Sequence, residues 1–260
     1  MREMKAQTTG SGLASSRAGS GILFQVSTLG AVLEGLYDGE VTFAELGKYG
    51  DFGLGSNDAL DGVMVALDGV FYRIAPDGNA LPADPAVKAA FATVTFFKGD
   101  EKAVIRRPLN LAHLQAHLDV LLPSKNIFYA IRIDGSFPRM KTRSERKQAK
   151  PYKKFIEVVQ TQPTLEFTDV RGTVVGVRCP SYVRGINYPG YHLHFISEDR
   201  TCGGHVLDCR LNEGAVSWDI IREFRLRLPG SDQFLRADLE KPDQDLEKVR
   251  RDPRQRRPES

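Results

Sequence analysis

The sequence predicts a mostly-β α+β chain, and three observations carry that prediction. Short runs of β-branched and aromatic residues, each bounded by turn residues, recur along almost its whole length. A single stretch, NLAHLQAHLDVLL, keeps apolar residues at helical spacing over a long run. The second half strings together IFYAIRIDGSF, TLEFTDV, TVVGVRC, YHLHFI, GHVLDCRL, AVSWDI and EFRLRL, a spacing that fits a small barrel or a sandwich.

The opening segment MREMKAQTTGSGLASSRAGSG is small and polar and has no apolar h-region. It reads as a disordered lead-in rather than a secretory leader. ILFQV is a short strand, and Ser27 is placed to cap a helix over TLGAVLEGLY that stops at Asp38-Gly39. Thr42 and Glu45 form a capping box for a second short helix that ends near 47–50. DFGLGSNDALDG, crowded with Gly, Asn and Asp, reads as a loop. VMVAL and VFYRI flank Asp68-Gly69, a strong hairpin signal, because the tight turn needs residues that tolerate positive φ. PDGN is a further turn, and FATVTFF and KAVIRR are strands. After Leu239 the chain becomes charged and proline-containing, the composition of a mobile tail.

Composition narrows the function classes. The chain has 260 residues, 41% of them hydrophobic and 27% charged, which supports a sizeable core. A net charge of +3 is too small to point to nucleic acid or a membrane as partner. No apolar run reaches the ~18 residues of a membrane span. Three cysteines (Cys179, Cys202 and Cys209) without CxxC spacing give neither a disulfide framework nor a zinc-thiolate site, and fit a reduced, cytoplasmic setting.

Three of the five histidines fall in GYHLHFISEDRTCGGHVLD. On a strand, His192 and His194 point to one face, roughly 7 Å apart at Cβ, while Leu193 points to the other. SEDRTCGG is long enough to reverse the chain, so GHVLDCRL can return alongside and bring His205 to the same face. Three neutral imidazoles on rigid strands match a catalytic zinc site with a position left open. The bland alternative is three ordinary sheet-surface histidines. His113 and His117 share the spacing of HExxH, but Leu114 stands where that motif has its glutamate, so they read as helix-surface residues.

The stretch RMKTRSERKQAKPYKK (139–154) carries eight cations and one acid. It reads as a solvated loop, as an anion or RNA patch, or as a segment with one arginine turned inward to grip a substrate carboxylate. Sparse aromatics weigh against RNA.

Several segments together resemble the α-acetolactate decarboxylase family: FQVSTLGAVLEGLYDGEVTFAEL, KYGDFGLG, FYRI, LPSKNIFYAIRIDGSF, MKTR, KPY, RGTVVG, PGYHLHFISEDRTCGGHVLD and RLP. The resemblance runs from about Leu23 to Asp238. It implies zinc-dependent decarboxylation of (S)-2-acetolactate to (R)-acetoin and CO2, in acetoin biosynthesis, by a cytoplasmic homodimer without an organic cofactor. His192, His194 and His205 match the zinc ligands, and Arg143 matches an active-site arginine. The implied organisation is a lead-in (1–21), an N-terminal mixed sheet with short helices (22–160), a small C-terminal β-barrel carrying the metal (161–238) and a charged tail (239–260).

The chain departs from the family pattern in two places. Family members read LDGE where this chain reads LDGV, so Val63 stands in place of an active-site glutamate. The preceding Ser56-Asn57-Asp58 also differs. In the tail, a second family glutamate aligns with Arg250 or Arg251, with Glu247 or Asp252 as substitutes. Valine neither ligates zinc nor transfers a proton. The expected consequence is activity lowered by about 10² to 10⁴, the usual weight of a general acid or base, unless another carboxylate such as Glu34 or Asp61 steps in. On that expectation Val63→Glu raises the rate. The alternative function is a catalytically impaired metal-binding relative serving as a ligand sensor or scaffold.

Overall fold

The computed structural model describes residues 21–239. The lead-in and tail assignments, with Glu247, Arg250, Arg251 and Asp252, lie outside them. In the first part of the chain the elements are β1 (Ile22–Val26), α1 (Leu29–Leu33), β2 (Val41–Thr42), α2 (Phe43–Leu46), β3 (Phe52–Asn57), β4 (Val63–Leu67), β5 (Val70–Ile74), β6 (Ala80–Pro82) and β7 (Lys88–Thr95). Then come β8 (Glu101–Ile105), β9 (Leu109–Asn110), α3 (Leu111–Leu121), β10 (Phe128–Arg143), α4 (Phe155–Thr161) and β11 (Thr164–Cys179). The last are β12 (Gly190–Ser197), β13 (Gly203–Leu211), β14 (Glu213–Ile221), β15 (Glu223–Arg227) and α5 (Asp232–Arg236). The expected mostly-β architecture with a few short helices is what the chain adopts. Among the described residues no helix is long and apolar enough to cross a membrane.

Two sheets carry the fold. One has eight strands in the order β15-β1-β7-β3-β4-β5-β6, with β2 added on β7. The other has seven, in the order β8-β14-β10-β11-β12-β13-β9. In the second sheet β13 also pairs with β10, so the pairings run in a ring from β10 through β11, β12 and β13 back to β10. The sheets interleave along the chain: β8, β9 and β10 belong to the second, and β15 returns to the first, running parallel to β1.

The sheets face each other across a shared core in which Leu54, Val63 and Val65 of the first meet Ala130, Val175 and Ile196 of the second. Each such buried side chain contributes about 1.5–3 kcal/mol of burial free energy. The other face of β10, with Tyr129, Ile131 and Ile133, packs against Leu114 and Leu118 of α3, so this strand is buried on both sides. α1 and α4 pack together in a separate cluster through Leu29, Val32, Phe155 and Val158.

Local chemistry explains most elements. Leu67 pairs with Val70 across a two-residue turn in which Asp68 and Gly69 both have positive φ (53° and 83°), the mirror-image geometry the hairpin requires. Thr42 caps α2 through the Glu45 amide, but the Glu45 carboxylate turns to Arg227 instead of completing the box. The cap of α1 is Thr28, not Ser27, which holds φ 64°, and the helix stops at Leu33. TLEFTDV and TVVGVRC form one sixteen-residue strand, β11.

Within DFGLGSNDALDG, Phe52–Asn57 is a strand, not a loop. Its glycines answer to the neighbouring strand. A Cβ on Gly53 would sit 2.1 Å from the Thr93 carbonyl oxygen, and one on Gly55 2.2 Å from that of Phe91. Glycine here permits close approach of β3 to β7.

Candidate metal centre and its pocket

The three histidines come together by register. On β12, His192 lies opposite Val177 and His194 opposite Val175 of β11. His194 lies directly across from His205 on β13, and His205 across from Arg143, the last residue of β10. Two glycines make this crowding possible. A Cβ on Gly203 would fall 2.2 Å from the Phe195 carbonyl oxygen, and one on Gly204 (φ 149°) would fall 2.7 Å from the Thr142 hydroxyl and 2.8 Å from the Arg143 carbonyl oxygen. A register shift between Lys141 and Thr142 re-aims the end of β10, as bulges beside functional sites do.

The imidazole ring centroids are 5.0, 5.1 and 5.3 Å apart. One ring nitrogen from each lies within 4.8 Å of the other two, close enough to share one cation. His194 Nδ1 donates to the Met64 carbonyl at 2.8 Å, a contact that fixes the ring and leaves Nε2 as the basic nitrogen. His192 Nδ1 is buried and has no hydrogen-bond partner in the protein. Burial depresses all three histidines below the ordinary imidazole range, with the Arg143 charge acting in the same direction, and His194 reaches about 4. The rings therefore present neutral, basic nitrogens at neutral pH, the form a metal requires. Three neutral imidazoles and an orphaned ring nitrogen fit a borderline cation such as zinc.

The histidines form the floor of a small pocket of about 60 Å³. Leu29, Val32, Val63, Phe91 and Phe155 supply an apolar wall, and Arg143, Glu145, Gln162, Ser56 and Tyr188 supply polar groups. Arg143 is only 6% exposed, so within 139–154 it is the arginine that turns inward. Arg139, Lys150 and Lys154 instead pair outward with Glu166, Asp38 and Glu34. α4, unmarked by any sequence pattern, places Phe155 at its start and Gln162 just beyond its end in the pocket.

Glu145 was not legible in the sequence. It lies in a cationic run without periodicity, yet it is 5% exposed. The residue before it explains why: Ser144 Oγ donates to the Ile74 carbonyl at 2.7 Å and accepts from the Val63 amide at 3.3 Å, bolting the end of β10 to the first sheet. The two carboxylates considered from sequence are engaged elsewhere, Glu34 with Lys154 and Asp61 with Arg73. His113 is exposed on α3, apart from the triad.

The sequence profile described as alpha-acetolactate decarboxylase matches residues 23–241. An alpha-acetolactate decarboxylase from Methanosarcina mazei is 46% identical over 235 residues, 90% of this chain and 82% of that one. The one from Bacillus subtilis is 43% identical over 221 residues, 85% and 87% of the two chains. The crystal structure of the alpha-acetolactate decarboxylase from Bacillus subtilis strain 168 superposes with a TM-score of 0.86 at 41% identity, covering 88% of this chain and 98% of that one.

Proposed function

The chain belongs to the alpha-acetolactate decarboxylase family of carboxy-lyases, and on that premise we propose that it converts (S)-2-acetolactate to (R)-acetoin and CO2 with zinc on His192, His194 and His205. The observation that carries the proposal is the convergence of three neutral imidazoles and the buried Arg143 on one pocket.

The substrate is a carboxylate β to a ketone. Loss of CO2 sends an electron pair toward the ketone oxygen, and the carbon left behind then takes a proton. When bound, the metal supplies Lewis-acid stabilisation of the oxygen that gains charge. Arg143 offers a fixed, permanently charged fork that orients the carboxylate. Leu29, Val32, Val63, Phe91 and Phe155 enclose the substrate's methyl groups and keep water from the reacting carbon. Gln162 Nε2 and Oε1 are both buried without partners, a donor and an acceptor left for a polar ligand. The reading carries with it a homodimer, testable by light scattering, and a cytoplasmic location, testable by cell fractionation. The ring of pairings through β10, β11, β12 and β13 supports taking that part of the second sheet as a small barrel.

The test is acetoin and CO2 release from racemic acetolactate, with metal analysis of the same preparation. The expected result is one zinc per chain and consumption of one enantiomer. A folded, zinc-loaded protein that binds acetolactate without releasing CO2 replaces this reading with a ligand-binding sensor or scaffold.

A further inference from the structure

Among the described residues, seven buried side-chain nitrogen or oxygen atoms lack a hydrogen-bond partner, and four of them belong to residues lining this one pocket: Glu145 Oε2, Gln162 Nε2, Gln162 Oε1 and His192 Nδ1. Buried polar atoms are ordinarily satisfied, so such a concentration marks groups held ready for a ligand. His192 is accounted for by the metal and Gln162 by the polar substrate. Glu145 has no such role yet.

We propose that Glu145 is the catalytic residue that delivers the proton to carbon after CO2 leaves. The inference rests on the decarboxylase reading above. The carbon–carbon bond to the carboxylate breaks, and its electron pair moves into the enediolate. The enediolate carbon then takes the proton of the Glu145 carboxyl, forming the C–H bond of acetoin and leaving a carboxylate. Solvent returns one proton to Glu145 each cycle, so the sum is acetolactate anion plus a proton giving acetoin plus CO2.

The other polar groups fit this role poorly. Arg143 does not release its proton at working pH. Metal-bound histidines have no free basic nitrogen, and the N–H of His194 is engaged by the Met64 carbonyl. Val63, on the neighbouring strand, brings only methyl groups. The Ser56 hydroxyl, by contrast, donates to the Glu145 carboxylate and fixes it against the pocket wall. Burial, the largest cause, pushes the Glu145 carboxyl up to about 7, so a carboxylic acid is available near neutral pH. Fixed on one wall of the pocket, it reaches the flat enediolate from one face, which sets the configuration of the product.

The experiment compares the full-length, zinc-loaded wild type with Glu145→Gln and Glu145→Asp, reading metal content, thermal stability, kcat and the enantiomeric composition of the acetoin. Glu145→Gln is expected to keep zinc at the wild-type ratio, lose about 10² to 10⁴ in kcat, and yield acetoin close to racemic, because the unprotonated enediol then leaves the pocket and takes its proton on either face in solvent. Glu145→Asp is expected to recover part of the rate and most of the enantiomeric excess. A Glu145→Gln protein with wild-type kcat and wild-type enantiomeric excess overturns the proposal. Loss of zinc together with activity also overturns it, by making Glu145 a metal ligand, as does loss of stereocontrol in Tyr188→Phe but not in Glu145→Gln. A zinc-loaded wild type that forms no acetoin refutes the decarboxylase reading itself, and this inference with it.

Discussion

Glu145→Gln should stabilise the metal-free protein at about pH 8 and leave it nearly unchanged at about pH 4. Desolvation by burial raises the Glu145 carboxyl from 4.5 to about 7, against the opposing pull of the Ser56 hydrogen bond and the Arg143 charge. A raised value means that the folded chain holds this proton more tightly than the unfolded chain does. The stability it brings is therefore full below the unfolded value of 4.5 and is lost as pH climbs through about 7. At about 1.4 kcal/mol per unit, the loss reaches about 3 kcal/mol on the alkaline side. Glutamine copies the protonated shape and never ionises, so the variant escapes that loss. The assay is urea unfolding of chelator-treated wild type and Glu145→Gln at the two pH values. The buried histidines, all depressed, destabilise both proteins alike as pH falls below the usual imidazole range, so they cancel in the difference. A stability difference that is equal at the two pH values, or larger at the acidic one, refutes the reasoning.

Three further outcomes follow from the geometry. His205→Ala should fold yet fail to retain stoichiometric zinc after dialysis, since it removes one of three ligand nitrogens lying within 4.8 Å of one another; metal analysis checks this. Gly204→Ala should cost about 1–3 kcal/mol by denaturant unfolding and weaken zinc binding, because its Cβ would collide with Thr142 and the Arg143 carbonyl while φ sits at 149°. Val63→Glu should give no gain in acetoin formation and should lower stability, because Val63 is 2% exposed in the core between the sheets and Glu145 already supplies a carboxyl to the pocket; a rate increase on the wild-type background would show that Glu145 does not serve.

The histidine triad and the Asp68-Gly69 hairpin were legible because the information is local. Alternation on β12 puts His192 and His194 on one face whatever surrounds them, and a two-residue turn dictates its own φ values. The features missed depend on a partner strand distant in sequence. Gly53 and Gly55 read as loop residues because their reason lies in the carbonyls of Thr93 and Phe91, some forty residues away. The single strand Thr164–Cys179 reads as two because Arg171-Gly172 looks like a break between two β-rich runs, while the pairing with Gly135 and Ser136 of β10 carries the strand straight through it.

Glu145 belongs to this second kind, and it changes what Val63 means. Taken along the chain, a valine in a pocket that needs an acid signals impairment, since no nearby carboxylate in sequence is free to replace it. In space, the amide of Val63 is bound to the hydroxyl of Ser144, so the residue after Ser144 is held beside Val63 although eighty-two positions separate them. Strand β4 therefore need not supply the carboxyl itself, because its backbone anchors the segment that does. The same strand holds His194 through the Met64 carbonyl. Two adjacent backbone groups of β4, the Val63 amide and the Met64 carbonyl, thus set the positions of an acid and a metal-competent histidine in one pocket. A substitution that shifts β4, such as Gly62→Ala, whose Cβ would meet the Ile74 carbonyl oxygen at 2.4 Å with φ at 88°, should disturb zinc retention and acetoin stereochemistry together. A change in only one of the two would separate the acid from the metal and break this coupling.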